Sequence, residues 1–245
     1  MLARKVTNEG HVYNGVLKVP SGELELMAEL SIPELADGIV VFCHGSRNRR
    51  HGSANRTVAE ALTPCGLGTA VCNLLTPAEE FRDERIAGPR FEIKQLAGRL
   101  VDLTDSLGTD SRTGSLPIAY FGASTAAAAA LVAASARPLA VRAVVSFGGL
   151  PQLAGSAVEE VEAPTLFVVG EHDWQIMDGN REAFAKVRAE KALEVVPGGT
   201  HLFAAPGALA EASRLARDWF RHHLEDRAPA GLIRERDTAP APFPT

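Results

Sequence analysis

Three short stretches carry residue types that together can cleave a carbonyl bond: Gly122-Ala123-Ser124-Thr125-Ala126, Gly170-Glu171-His172-Asp173 and Gly199-Thr200-His201. A serine hydroxyl is a poor nucleophile at neutral pH. It needs an imidazole to take its proton, and the imidazole needs a carboxylate to fix its tautomer and stabilise the imidazolium. Ser124, Asp173 and His201 supply nucleophile, acid and base in that chain order. Taken singly, each has a plainer reading: a serine or aspartate at such a turn is commonly a helix cap, and a loop histidine is commonly solvated. The three together are far less of a coincidence. Glu171 and His172 compete with Asp173, which is preferred because the fourth residue of a Gly-x-x-Asp turn stands furthest past the strand end. His172 is then structural or pocket-lining.

The elements around these residues must place them side by side. Residues 117–121 form a short apolar strand, 122–126 a turn of small residues, and the alanine run that follows a helix stopped at Arg137-Pro138. Continuous apolar runs at 39–43, 69–75, 141–147, 165–169 and 192–196 predict further buried strands. Helices are expected over 54–63, 91–107, 178–188 and from about Pro206, where Leu209, Ala212, Ala216, Trp219, Phe220 and Leu224 recur at helical spacing. Residues 12–19 and 23–31 flank Pro20-Ser21-Gly22 and predict an antiparallel hairpin at a sheet edge, with Leu24, Leu26, Ala28 and Leu30 alternating against Glu23, Glu25, Met27 and Glu29. Strands alternating with helices mean a mostly parallel twisted sheet with helices on both faces, its active residues in loops at the carboxyl ends of the strands. Ser124, Asp173 and His201 each fall just past such an end.

Ser124 sits where a sharp strand-to-helix turn exposes the hydroxyl and aims helix N–H groups at developing negative charge, the nucleophile elbow of the α/β-hydrolase fold. The usual G-x-S-x-G pattern ends here in Ala126, a mild departure. Acyl transfer also needs two oxyanion donors. The Thr125 backbone N–H supplies one, and the Ser46 backbone the other, with Arg47 as the alternative, in the His44-Gly45-Ser46 loop.

These residues carry a family resemblance. Phe42-Cys43-His44-Gly45-Ser46, the arginine-containing stretch 50–56, Leu74-Leu75-Thr76-Pro77, Phe121-Gly122-Ala123-Ser124, Gly170-Glu171-His172-Asp173 and Gly199-Thr200-His201 together resemble the dienelactone hydrolase-like branch of the α/β-hydrolases, over about residues 12–224. The resemblance implies a small cytoplasmic hydrolase without metal or cofactor. Similar domains also occur fused to phosphoribosyltransferase domains in bacteria, and none is read in these residues. Dienelactone hydrolase itself uses a cysteine nucleophile; Ser124 at that position points to general ester hydrolysis.

Length and composition agree with this and exclude other classes. At 245 residues, 46% hydrophobic and 22% charged, the chain can bury the core of one α/β domain, expected over 1–225 and followed by a Pro/Ala-rich tail at 226–245. A net charge of -5 and pI near 5.8 argue against nucleic acid. No run reaches the roughly 18 apolar residues of a membrane span, and the N-terminus has no signal-peptide core. Cys43, Cys65 and Cys72 suggest neither a disulfide framework nor a zinc site. The expected partner is a small-molecule ester, and a homodimer stays open.

Residues 148–164 are too few for a large lid domain, so the site should be open, rimmed by the loops at 47–56 and 76–89 with Leu150, Trp174 and Phe203. The competing reading of the function is a non-catalytic binding module on the same fold; thioesterase or peptidase chemistry would use the same triad. Arg47, Arg49, Arg50 and Arg56 near the oxyanion loop could attract an anionic ester, although a solvated charge run is the commoner explanation. Neutralising Arg47 and Arg49 should raise KM for anionic esters selectively in steady-state kinetics; an equal effect on neutral esters would count against substrate attraction.

Overall fold

Gly22, at φ +58°, turns the chain between two strands, β1 (Val12–Ser21) and β2 (Leu24–Pro33), which pair antiparallel from Val12 opposite Pro33 to Ser21 opposite Leu24. The alternation in β2 has its expected effect: Leu26, Ala28, Leu30 and Ile32 are buried while Glu25, Met27 and Glu29 are exposed. The structure is a computed structural model that describes residues 11–44, 49–76, 78–79, 93–201 and 203–225.

The remaining strands are β3 (Gly38–His44), β4 (Leu67–Asn73), β5 (Ile118–Ala123), β6 (Val141–Phe147), β7 (Thr165–Gly170) and β8 (Lys191–Val196). Between them come α1 (Arg49–Leu62), α2 (Ile93–Thr109), α3 (Thr125–Ala136), α4 (Trp174–Lys186) and α5 (Ala208–Glu225). Among the described residues the eight strands form one sheet in the order β1-β2-β4-β3-β5-β6-β7-β8. From β4 onward along that order every neighbouring pair is parallel.

The central strands are apolar on both faces because both faces are covered. Val41 and Cys43 of β3 join a core layer with Leu100 and Leu103 of α2 and the alanines of α3, whereas Val40 and Phe42 join a second layer with Val58 of α1 and Phe220 of α5. Helix α3 has no polar stripe, and its alanines from Ala126 to Ala130 are all buried. A helix apolar all round belongs inside, and its methyl side chains let it lie close to the sheet.

Several boundaries differ from the sequence expectation, most by one or two residues and two helix starts by more. Helix α1 starts at Arg49 rather than 54, and α4 at Trp174 rather than 178. Inside α4, a Cβ at Gly179 would stand 2.6 Å from the Gln152 side chain. Strand β4 begins and ends two residues early, and just past its end the Leu74 carbonyl accepts a hydrogen bond from the Arg99 guanidinium (2.6 Å). The connection at 148–164 contains a 3-10 segment, Pro151–Glu160, kinked at Gly155, and no lid. The tail at 226–245 lies outside the described residues.

Arg99 also clamps the segment after β4. Its two terminal nitrogens meet the two Glu79 oxygens at 2.7 Å each, with the arginine side chain 6% and the glutamate 16% exposed. Thr76 and Glu79 bond each other's backbone N–H reciprocally, a capping box. The guanidinium, aided by Thr76 and opposed by burial, lowers the Glu79 carboxyl from 4.5 to about 2. A depressed carboxylate stabilises the fold above its unfolded pKa and loses that contribution as pH falls towards the folded one. Glu79→Gln should therefore cost roughly 3 kcal/mol at pH 7 and progressively less between about pH 4.5 and 2, read by urea unfolding; a pH-independent difference would contradict this.

Candidate active site

Ser124 stands between β5 and α3 at φ 52° and ψ −126°. Such a conformation costs a non-glycine residue about 1–3 kcal/mol and persists only where its surroundings hold it. The Ser124 carbonyl accepts hydrogen bonds from the N–H groups of Ala127 (3.2 Å) and Leu150 (3.0 Å). On the strand side, a Cβ at Gly122 would lie 2.6 Å from Ala127 Cα and 2.7 Å from the Ala126 oxygen, so β5 and α3 approach more closely than any side chain permits. Ala126 is 2% exposed, its methyl accommodated within the core. Thr125 opens α3, so its N–H belongs to the first turn, where helix donors lack intrahelical acceptors.

The acid and the histidine come from adjacent strand ends. Beyond Gly170 the chain turns through an Asp173 N–H to Gly170 carbonyl bond (3.0 Å), and Asp173 then caps the start of α4 by position. Its carboxylate is buried, at 7% exposure, and Oδ2 is 2.8 Å from His201 Nδ1. The neighbours that competed for this place do other things. Glu171 accepts the Gly198 N–H at 2.7 Å and His172 donates its backbone N–H to Gly199 at 2.8 Å, so both brace the histidine loop. That loop is pressed close: a Cβ at Gly170 would lie 2.5 Å from the Gly199 oxygen, and one at Gly148 2.9 Å from the His201 oxygen.

The other rim candidates divide. Trp174, directly after Asp173, is 75% exposed with its ring 6.0 Å from that of His172, and Leu150 is half-buried beside the elbow. Phe203 is corrected: expected at the rim, it is 1% exposed and packs on Phe147 with ring centroids 4.5 Å apart. Its φ of +51° turns the ring inward, so it anchors the histidine loop in the core. Ser46 and Arg47 lie outside the described residues. Asn180 was not singled out from the sequence; it is fully buried in α4 and donates to the Gly149 carbonyl at 3.0 Å. A polar residue on the apolar face of an amphipathic helix was the available signal.

Among the described residues, Glu190, His222 and His223 could hold a metal ion, their ligand atoms lying within 4.8 Å of one another. Glu190 precedes β8, so this cluster is at the amino end of the sheet, away from Ser124 and His201. No helix of the described residues is long and apolar enough to cross a membrane.

The sheet order, the strained serine after β5 and the paired residues after β7 and β8 define an α/β-hydrolase. Residues 78–224 match the dienelactone hydrolase family model, and the chain belongs to that family. It is 46% identical to the crystal structure of dienelactone hydrolase from Anabaena variabilis, at a TM-score of 0.82, covering 87% of this chain and 99% of that one. Est1E from Butyrivibrio proteoclasticus, at 12% identity, shares the fold with a TM-score of 0.71 over 85% of this chain and 98% of that one. A Mycobacterium tuberculosis protein named "Putative phosphoribosyl transferase Rv0571c" is 47% identical over 215 residues, 88% of this chain and 48% of that protein. The chain thus spans about half the length of the curated relatives it matches.

Gly122→Ala tests the tight contact beneath the elbow. Because the obstructing atoms are backbone, no rotamer change relieves it, and the variant should lose about 2 kcal/mol or more in thermal or urea unfolding; unchanged stability would contradict the geometry.

Proposed function

We propose that the chain is a serine hydrolase acting on small carboxylic esters or lactones through an acyl-enzyme. The observation that carries this reading is the 2.8 Å contact between Asp173 Oδ2 and His201 Nδ1 at neighbouring strand ends, in the same molecule as a strained serine elbow. With Nδ1 engaged by the carboxylate, Nε2 is the nitrogen left for proton transfer. Membership of the dienelactone hydrolase family supports hydrolase chemistry in general terms.

In this reading Ser124 Oγ attacks the carbonyl carbon as its proton passes to His201 Nε2. Asp173 stabilises the imidazolium, and the backbone N–H groups of Thr125 and Ser46 receive the oxyanion. Collapse of the tetrahedral adduct expels the alcohol, which takes the proton from His201. Water then attacks the acyl-enzyme with His201 again as base, releasing the acid and restoring Ser124. Trp174 and Leu150 would contact the substrate at an open rim. The name of the longer Mycobacterium tuberculosis relative does not carry over, since the likeness spans about half of that protein and must include most of the family-matched residues 78–224.

The reading is tested with a panel of short to medium p-nitrophenyl esters. Ser124→Ala and Asp173→Asn should each lower kcat by on the order of 10,000-fold. Undiminished turnover in Ser124→Ala would refute the assignment, and absence of turnover across the panel would favour the binding module.

A further inference from the structure

We propose that Asn180 is a positioning residue that sets the spacing between the nucleophile and the Asp173–His201 pair; this rests on the serine-hydrolase reading above. Helix α4 starts directly after Asp173, and Asn180 follows seven residues on, roughly 10 Å along the axis. Its Nδ2 donates to the Gly149 carbonyl at 3.0 Å and to the Ile176 carbonyl at 2.9 Å. The same peptide unit presents its other end, the Leu150 N–H, to the Ser124 carbonyl at 3.0 Å. A continuous path therefore runs from the acid, down one helix, across one side-chain amide and one loop, to the backbone of the strained serine.

Two polar atoms beside this path are buried without a protein partner. Asn180 is 0% exposed and its Oδ1 has no hydrogen-bond partner, which costs about 1–3 kcal/mol for a buried polar group. Ser146 Oγ is likewise buried without a partner, and a side chain at Gly149 would collide with it and with the Ala127 methyl. Gly149 is thus wedged between β6 and the first turn of α3 while its carbonyl is held by α4. Shape alone packs one side of the loop. On the other side Leu150 packs on Ile176 and Met177, and the Asn180 amide adds the directional hydrogen bond that orients the peptide whose N–H meets the serine.

The experiment measures kcat and KM on a p-nitrophenyl ester, and the rate of Ser124 labelling by a fluorophosphonate, in wild type, Asn180→Ala, Asn180→Asp and Phe220→Leu. Phe220 lies on α5, off the path from Asp173 through Asn180 and Gly149 to Ser124, and its variant reports how far core destabilisation by itself lowers the rates. Misplacement of the serine should lower kcat and the labelling rate about 10- to 100-fold in Asn180→Ala with KM nearly unchanged. Phe220→Leu should keep both rates while melting earlier. Asn180→Asp should regain activity at low pH, where the neutral acid donates one hydrogen bond, relative to its own rate at neutral pH and after correction for the wild-type profile. Wild-type rates in Asn180→Ala, or equal losses in Phe220→Leu, would overturn the positioning role and leave the hydrolase reading standing. Failure of the wild type itself to turn over or be labelled at Ser124 would remove both.

Discussion

The contact between β5 and the first turn of α3 is the constraint on which the rest of the site depends. With hydrogen at Gly122 and methyl groups along α3, the helix backbone comes within 2.6 Å of where a side-chain carbon would stand. A chain that leaves a strand and enters a helix at that separation has no room for a relaxed turn. Ser124 takes the strain, at φ 52°. The strain is tolerated because two N–H groups hold the serine carbonyl and because the alanines of α3 bury their whole circumference. Stability is thereby spent where a reactive group must be presented.

The same principle recurs on the histidine side. Among the described residues the second non-glycine with positive φ is Phe203, two positions beyond His201. Its ring completes a row through Phe42, Phe121 and Phe147 with centroid separations of 4.8, 5.0 and 4.5 Å. Aromatic burial of this kind offsets a strained backbone. The row crosses β3, β5 and β6, so the strand carrying the elbow and the loop carrying the histidine share one packed layer. Gly148, Gly170 and Gly199 let the loop's backbone settle against the strand ends. Chemistry placed on loops is thus referred to a rigid sheet.

Much of this was legible in the sequence because it follows from periodicity and chain order. The apolar run at 141–147 is β6 residue for residue, and the order of Ser124, Asp173 and His201 past three strands placed them at one edge of the sheet. The choice of Asp173 over Glu171 rested on reach past the strand end, and Asp173 is the one that meets His201. What could not be read depended on direction within irregular backbone. Phe203 has the composition of a rim residue, and only its positive φ sends it inward. The first turn of α4, Trp174 to Met177, was read as loop, and Gly179 inside the helix packs against Gln152. Asn180 shows locally only as a polar residue on an apolar helix face, and its partner lies in a loop 31 residues away in sequence.

The proposed serine-hydrolase chemistry requires that Ser124 be activated by the groups around it. The most direct test is intact-mass and peptide mapping after exposure of the whole chain to a fluorophosphonate at neutral pH. The account predicts one adduct per chain, located on Ser124 and lost in His201→Ala. No adduct, or an adduct on another residue, would contradict it.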